Sequence, residues 1–246
     1  MSKYEFTSET KEILISSRVV TLRRIRAVSD FGIVKAGDLG GWIEKEENLS
    51  HDGLAWVYDN ATVYDNAVVC DNADIFDNAK IYGNAKICDN TEVCDNAKIY
   101  GNAIVCNNAC VYDNAIVCDN TIVSDNANVS DNANVSDNAR IRGNAMVYGN
   151  AKIYGTAIIC GDSRVSNDAM VSSVTHILVF GPVGSRYDFT TFYRDKDKEI
   201  SVNCGCFNGK IDEFLEKVIQ THGNSRHALV YREAVKVAKL QIDVSL

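Results

Sequence analysis

From Val57 to Ile177 every sixth residue is Val or Ile, and no position in that register fails. Four residues after most of them stands Ala, with Thr91, Thr121, Ser163 and Thr175 as small replacements. The residue just before the small one is Asn without a break from Asn60 to Asn150. Apolar positions spaced alternately by four and two do not describe a helix, whose stripe recurs at three and four. They describe a short flat strand followed by a turn: Ala61 and Val63 point to one side, and Thr62 between them points out. The Asp-Asn and Gly-Asn pairs between strands are turn chemistry, because these residues tolerate left-handed backbone angles and bond nearby amides. Three such sides close a triangular coil of 18 residues, and the run from Val57 to Ile177 holds between six and seven coils.

The flanks follow other patterns. Residues 1–56 predict an N-terminal cap, since the first coil of a solenoid would otherwise expose unpaired backbone groups and one end of the core. Glu12 to Val20 reads as one strand, Asp30 to Glu44 as short apolar runs between glycine turns, and Trp42 and Trp56 as the two plugs. The repeat is taken as residues 57–180, closed by Gly181-Pro182, which holds the only proline. Residues 181–246 predict a small ββαα unit. Its hairpin pairs Asp188 to Arg194 with Glu199 to Phe207 around a charged turn at 195–198. Helices follow over Lys210 to His222, with Gly223 as the stop, and over Arg226 to Leu240, with Leu229, Ala234, Val237 and Leu240 as core positions.

This pattern resembles the hexapeptide-repeat left-handed parallel β-helix superfamily. The lead-in Asp30-Phe31-Gly32 with Gly37-Asp38-Leu39-Gly40-Gly41-Trp42, followed by Asn-Ala repeats, resembles a poorly characterised bacterial and phage-type branch of it. The resemblance covers roughly Leu22 to Phe180 and implies a left-handed triangular solenoid; with the cap and the small C-terminal α+β unit read from the residues, a mainly β fold is expected. It does not imply one function, because that superfamily includes acyltransferases, γ-type carbonic anhydrases and noncatalytic scaffolds.

Positions 18 apart stack at about one strand spacing, so outward side chains sort into three faces. One holds Trp56, Tyr58, Phe76, Cys94, Tyr112, Ser130 and Tyr148. A second stacks Tyr64, Tyr82 and Tyr100 beside Lys80 and Lys98, which reads either as a platform for a planar anion such as a nucleotide or as a stabilising ladder. The third carries an apolar strip of Val68, Cys70, Cys88, Ile104, Cys106 and Ile122. It predicts a homo-oligomer contact, with a trimer favoured, unless a terminal segment of the same chain folds over it.

Charge and cysteines narrow the field. The net charge is −8, and residues 57–180 hold 15 acidic against 7 basic side chains, which argues against binding duplex nucleic acid. Met1 leads into a polar run, no apolar stretch is long enough to span a membrane, and the nine Cys read as free thiols of a reducing cytoplasm. A Cys ladder at one strand spacing is no tetrahedral metal site, and the corner Asp columns read as turn caps rather than calcium ligands, so neither metal nor cofactor is expected.

Acyltransferases of the resembled superfamily rely on a His base and a loop thrown out from a coil, and γ-type carbonic anhydrases on three His. Val57 to Thr175 contains no His and no inserted residue. The sequence therefore predicts a noncatalytic oligomeric binding protein, phage-associated by resemblance, that holds a small anionic ligand such as a signalling nucleotide or a protein partner. The candidate ligand residues are Tyr64, Lys80, Tyr82, Lys98 and Tyr100, with Arg186 and Arg194 of the C-terminal unit, where Thr190, Tyr193, Cys204 and Cys206 add polar groups. Two alternatives stand beside it: an acyltransferase site between subunits with His51, His176 or His222 as base, and a structural spacer.

Overall fold

A computed structural model describes residues 2–15 and 17–245. Twenty two-residue rungs, each ending in the inward Val or Ile, pair in parallel with the rung 18 residues on, as in Lys98↔Lys80 and Ile104↔Ile122. They form three ladders of seven, seven and six rungs, which are the sides of a triangular parallel β-helix. Each coil bonds to the next through its backbone, as in Lys80 N–H to the Ala97 carbonyl at 2.9 Å. The Val, Ile and Ala column is almost wholly buried as one core. Thr91 and Thr121 can replace Ala because their hydroxyls donate to the carbonyls of Cys88 (2.7 Å) and Cys118 (2.6 Å).

At the corners the left-handed residue is the first of each pair. Asp95 has φ 59° and Gly101 φ 73°, and in each the next residue is Asn. The Asp carboxylates accept from the amide one coil on, as Asp95 does from Asp113 N–H at 3.2 Å. Asn side chains bond to one another along the stack, as in Asn72 to Asn90 at 3.0 Å. The Asp and Asn columns therefore clamp each coil to the next, which is the capping role expected of them.

The N-terminal cap departs from expectation. Strands β1 (Tyr4–Ile15) and β2 (Arg18–Ala27) form an antiparallel hairpin, and β3 (Leu39–Ile43) joins it to the tyrosine and lysine ladder, making a ten-stranded sheet. The stretch from Glu12 to Val20 is thus two strand ends facing each other (Ile13↔Val20), because alternation continues through a reversal that periodicity cannot register. Trp56 is 1% exposed and plugs the end against Tyr4 and Phe31. Trp42 does not: it faces outward from β3, with Lys11 over its ring at 5.2 Å.

At the other end the last rung is Met170–Val171, so the ladder stops before Gly181-Pro182. Ile177, the final member of the register, begins β4 (Ile177–Val183), an edge strand where a proline costs no ladder bond. The sheet continues with β5 (Asp188–Arg194), β6 (Ile200–Cys204) and β7 (Phe207–Lys210). The single strand expected from Glu199 to Phe207 is two, split at Gly205, whose φ is 60°. Tyr193 is fully buried and closes the solenoid core, its hydroxyl 3.3 Å from Ser166 Oγ.

Helices α1 (Ile211–His222) and α2 (Arg226–Gln241) fall where expected, but of the four core positions expected on α2 Ala234 alone is buried. Ala228, Tyr231, Ala234, Val235 and Ala238 pack inward, while Leu229, Val237 and Leu240 are 53%, 45% and 88% exposed. Small residues let α2 approach the sheet closely, and one large Tyr fills the remaining gap. Counting bulky apolar side chains therefore selected the wrong stripe. No helix among the described residues is long and apolar enough to cross a membrane.

Candidate functional site

The β1–β2 hairpin folds back over the tyrosine and lysine face. Val20 and Leu22 bury Tyr64, with Ile13, Ile15, Trp42 and Tyr82 around them. Arg18 ties the hairpin tip to the solenoid by ion pairs with Asp65 and, at 3.6 Å, Glu44. Between hairpin and ladder lies a cleft of about 750 Å³. Its cationic lining is Lys11 from the hairpin and Lys80 and Lys98 from successive rungs of one ladder. Among the described residues none of the three has a carboxylate within ion-pair distance. Burial, and then the charge of Lys80, push the Lys11 ammonium below the ordinary lysine range.

Uncommitted hydrogen-bonding groups point to the same place. Thr62 occupies the rung before Lys80, is 3% exposed, and its Oγ1 has no partner among the described residues. A buried hydroxyl left unpaired costs about 1–3 kcal/mol, a cost that a bound acceptor would remove. Asn60, Asn78 and Asn96 also line the cleft. Their column bonds side chain to side chain from Asn114 onward (Asn114 to Asn132, 3.5 Å), whereas among the described residues these three amides make no such bond.

The seven candidate ligand residues divide among several places. Tyr64, Lys80 and Lys98 line the cleft. Tyr82 and Tyr100 continue the ring stack outside it, with centroids at 5.0 and 4.8 Å along Tyr64, Tyr82 and Tyr100 and ring planes within 9°. Those faces are occupied by each other, so a planar ligand would meet ring edges. Arg186 stands at a separate cavity in the C-terminal unit. Arg194 is 7% exposed, its Nε has no partner among the described residues, and its charge acts on His176.

Thr62 was legible, being one coil before Lys80. Lys11 was not, because only the folded hairpin brings it across. On the third face Ile104 is 37% exposed and Cys88 is buried. Burial and the neighbouring carboxylate push the thiols of Cys70 and Cys88 up to about 12 and about 11. The hairpin packs on the tyrosine face and the C-terminal sheet on the last rungs, while Leu49 of the cap bridges to Val69 at the start of the third ladder.

The three candidate bases lie apart from one another, although His222 has His227 beside it, ring centroids at 5.9 Å. His51 stacks on Tyr4 at 4.4 Å and its Nδ1 accepts from Lys3 N–H at 3.2 Å. His176 is 4% exposed, accepts from Ser172 N–H at 3.2 Å, and is held toward the neutral form by burial and then by Arg194. His222 lies beside Tyr231 in the C-terminal unit.

A family model described as YdcK Beta solenoid repeat matches residues 55–73, the first full coil. Together with uninterrupted pairing at 18 residues, this places the fold. The chain is a hexapeptide-repeat β-helix protein. A protein of Escherichia coli (strain K12) named "Uncharacterized acetyltransferase YdcK" is 40% identical over 63 residues, which are 24% of this chain and 19% of that protein. The likeness thus spans about a fifth of that relative's length and about a quarter of this chain.

Proposed function

We propose that this β-helix protein is a noncatalytic binding protein that holds a small polyanion, a phosphorylated compound such as a signalling nucleotide, under its N-terminal hairpin. The observation that carries the reading is the convergence of Lys11, Lys80 and Lys98 on one cleft without a carboxylate partner among the described residues, in a chain of net charge −8. Like charges on adjacent rungs repel. A phosphate would relieve that repulsion, satisfy Thr62 Oγ1, and leave the rest of the ligand against Ile13 and Ile15. Titration calorimetry of the full chain against pyrophosphate and a nucleotide panel tests it; a panel with no ligand binding at micromolar concentration overturns it.

The name of the E. coli relative favours a second reading, an acyltransferase. His51 and His176 each spend Nδ1 on a backbone amide, which leaves His222 as the freer base. Acetyl-CoA turnover by the full chain, abolished by His222→Ala, would establish that reading in place of the first. In either case the strip of Val68, Cys70, Cys88, Ile104, Cys106 and Ile122 is the proposed contact between copies, a trimer favoured. Native mass spectrometry reads it directly, and a monomer at all concentrations removes it.

A further inference from the structure

We propose that the C-terminal unit carries a second, separate ligand cavity, which takes a small amphipathic anion: a carboxylate on a short apolar body. The cavity, about 300 Å³, lies between the four-stranded sheet and the two helices. That volume is at the small end of the range for ligand sites, about 300–1,000 Å³. Its floor is apolar and rigid. Phe214 and Val218 are 3% and 4% exposed, and Phe214 meets Phe207 at 5.3 Å and Tyr231 edge-on at 5.5 Å.

The rim has the opposite character. Arg186, Lys217 and His222 come from the loop after β4 and from two turns of α1. Among the described residues neither Arg186 nor Lys217 has an ion-pair partner. The one carboxylate of the lining, Asp188, lies 3.6 Å from Arg164. A guanidinium fork over an apolar floor suits a carboxylate head above a hydrocarbon or aromatic tail.

One polar group reaches the floor. Among the described residues the Cys204 thiol is the hydrogen-bonding group beside the Tyr231 hydroxyl, donating to it with Sγ to Oη 3.7 Å. Burial and that thiol keep the phenol protonated, so it offers a proton to an acceptor. Gly184 makes room for it: a Cβ there would sit 2.0 Å from Tyr231 Oη. A glycine at this left-handed position (φ 74°) thus lets the Tyr231 hydroxyl pack where any side chain would exclude it.

Calorimetry of the full chain with octanoate, n-octanol and octylammonium tests the assignment. Octanoate is expected to bind, with the alcohol about tenfold weaker or more and the ammonium not at all, because a charge-assisted contact is lost. Arg186→Ala should weaken octanoate by about tenfold. Thr221→Trp, at an exposed lining position, should block the cavity without disturbing the core. Lys98→Met, which alters only the other cleft, should leave octanoate binding unchanged. No octanoate binding at millimolar concentration, equal binding of the alcohol or the ammonium, full affinity in Thr221→Trp, or loss in Lys98→Met would each overturn the proposal.

Discussion

Replacing Lys98 by Met separates a ligand-binding lysine from a solvated one, because stability and affinity should move in opposite directions. Lys80 and Lys98 are register partners in adjacent parallel rungs, so their side chains leave the backbone at about 4.8 Å spacing. Both are exposed, and an exposed pair of like charges at that range costs about 0.2–1 kcal/mol after screening. Met keeps the aliphatic stem over the ladder and removes the charge, so the variant should gain about 0.5 kcal/mol in urea unfolding at low salt. A lysine that donates to a bound phosphate contributes about 1.5–3 kcal/mol, so pyrophosphate affinity should fall about tenfold to a hundredfold. Calorimetry at low and moderate salt reads the second quantity, and added salt should narrow the gap between parent and variant. Unchanged pyrophosphate affinity in Lys98→Met would refute the assignment of the cleft.

Other perturbations probe the cleft, the ladder and the cap. Burial and Lys80 lower the Lys11 pKa, and an anion favours its charged form. Polyanion affinity should therefore fall as pH rises through that lowered value, at lower pH than for an ordinary lysine, and Lys11→Arg should flatten the profile through that region. Deleting residues 122–139 removes one whole coil and joins Thr121 to Arg140, so Ile104 meets Arg140 and the inward register survives. That variant should melt cooperatively and keep both ligand sites, whereas a deletion one residue shorter should turn every later Val and Ile outward and unfold. Burial and then the neighbouring Glu92 push Asp74 up to about 6. The folded state thus holds its proton more tightly than the unfolded one, and stability declines as pH rises from about 4 to about 6. Asp74→Asn should remove that decline and gain on the order of 1 kcal/mol at neutral pH, discounted for partial exposure, by chemical unfolding at a series of pH values. Ile99→Ala, a fully buried position in mid-solenoid, should cost about 2–5 kcal/mol in the same assay.

The repeat was legible because its information is local and redundant. Each inward Val or Ile and each corner Asp-Asn repeats one decision, and residues 18 apart must stack whenever three equal sides close. The sorting of outward residues into three faces, with Lys80 above Lys98 and Thr62 in the same column, followed from counting. Helix α1 was nearly as plain: of the spaced apolar residues Ile211, Phe214, Leu215 and Val218 on one face, three are buried and Leu215 is partly so, and Gly223 stands at its end.

What counting cannot reach is how different segments meet. The reversal between β1 and β2 interrupts no apolar pattern, yet it swings Lys11 over the ladder and turns a pair of exposed lysines into the wall of a cleft. The tyrosines were visible as a stack, but their ring planes lie face to face, and ring edges are what remains for a ligand. The small residues of α2 outweighed its Leu and Val because close approach to the sheet depends on the shape left by its neighbours. The solenoid of this protein was therefore determined by its sequence alone, through short-range periodicity. Both candidate cavities were decided by tertiary structure, because each is enclosed by segments distant in the chain that share no pattern.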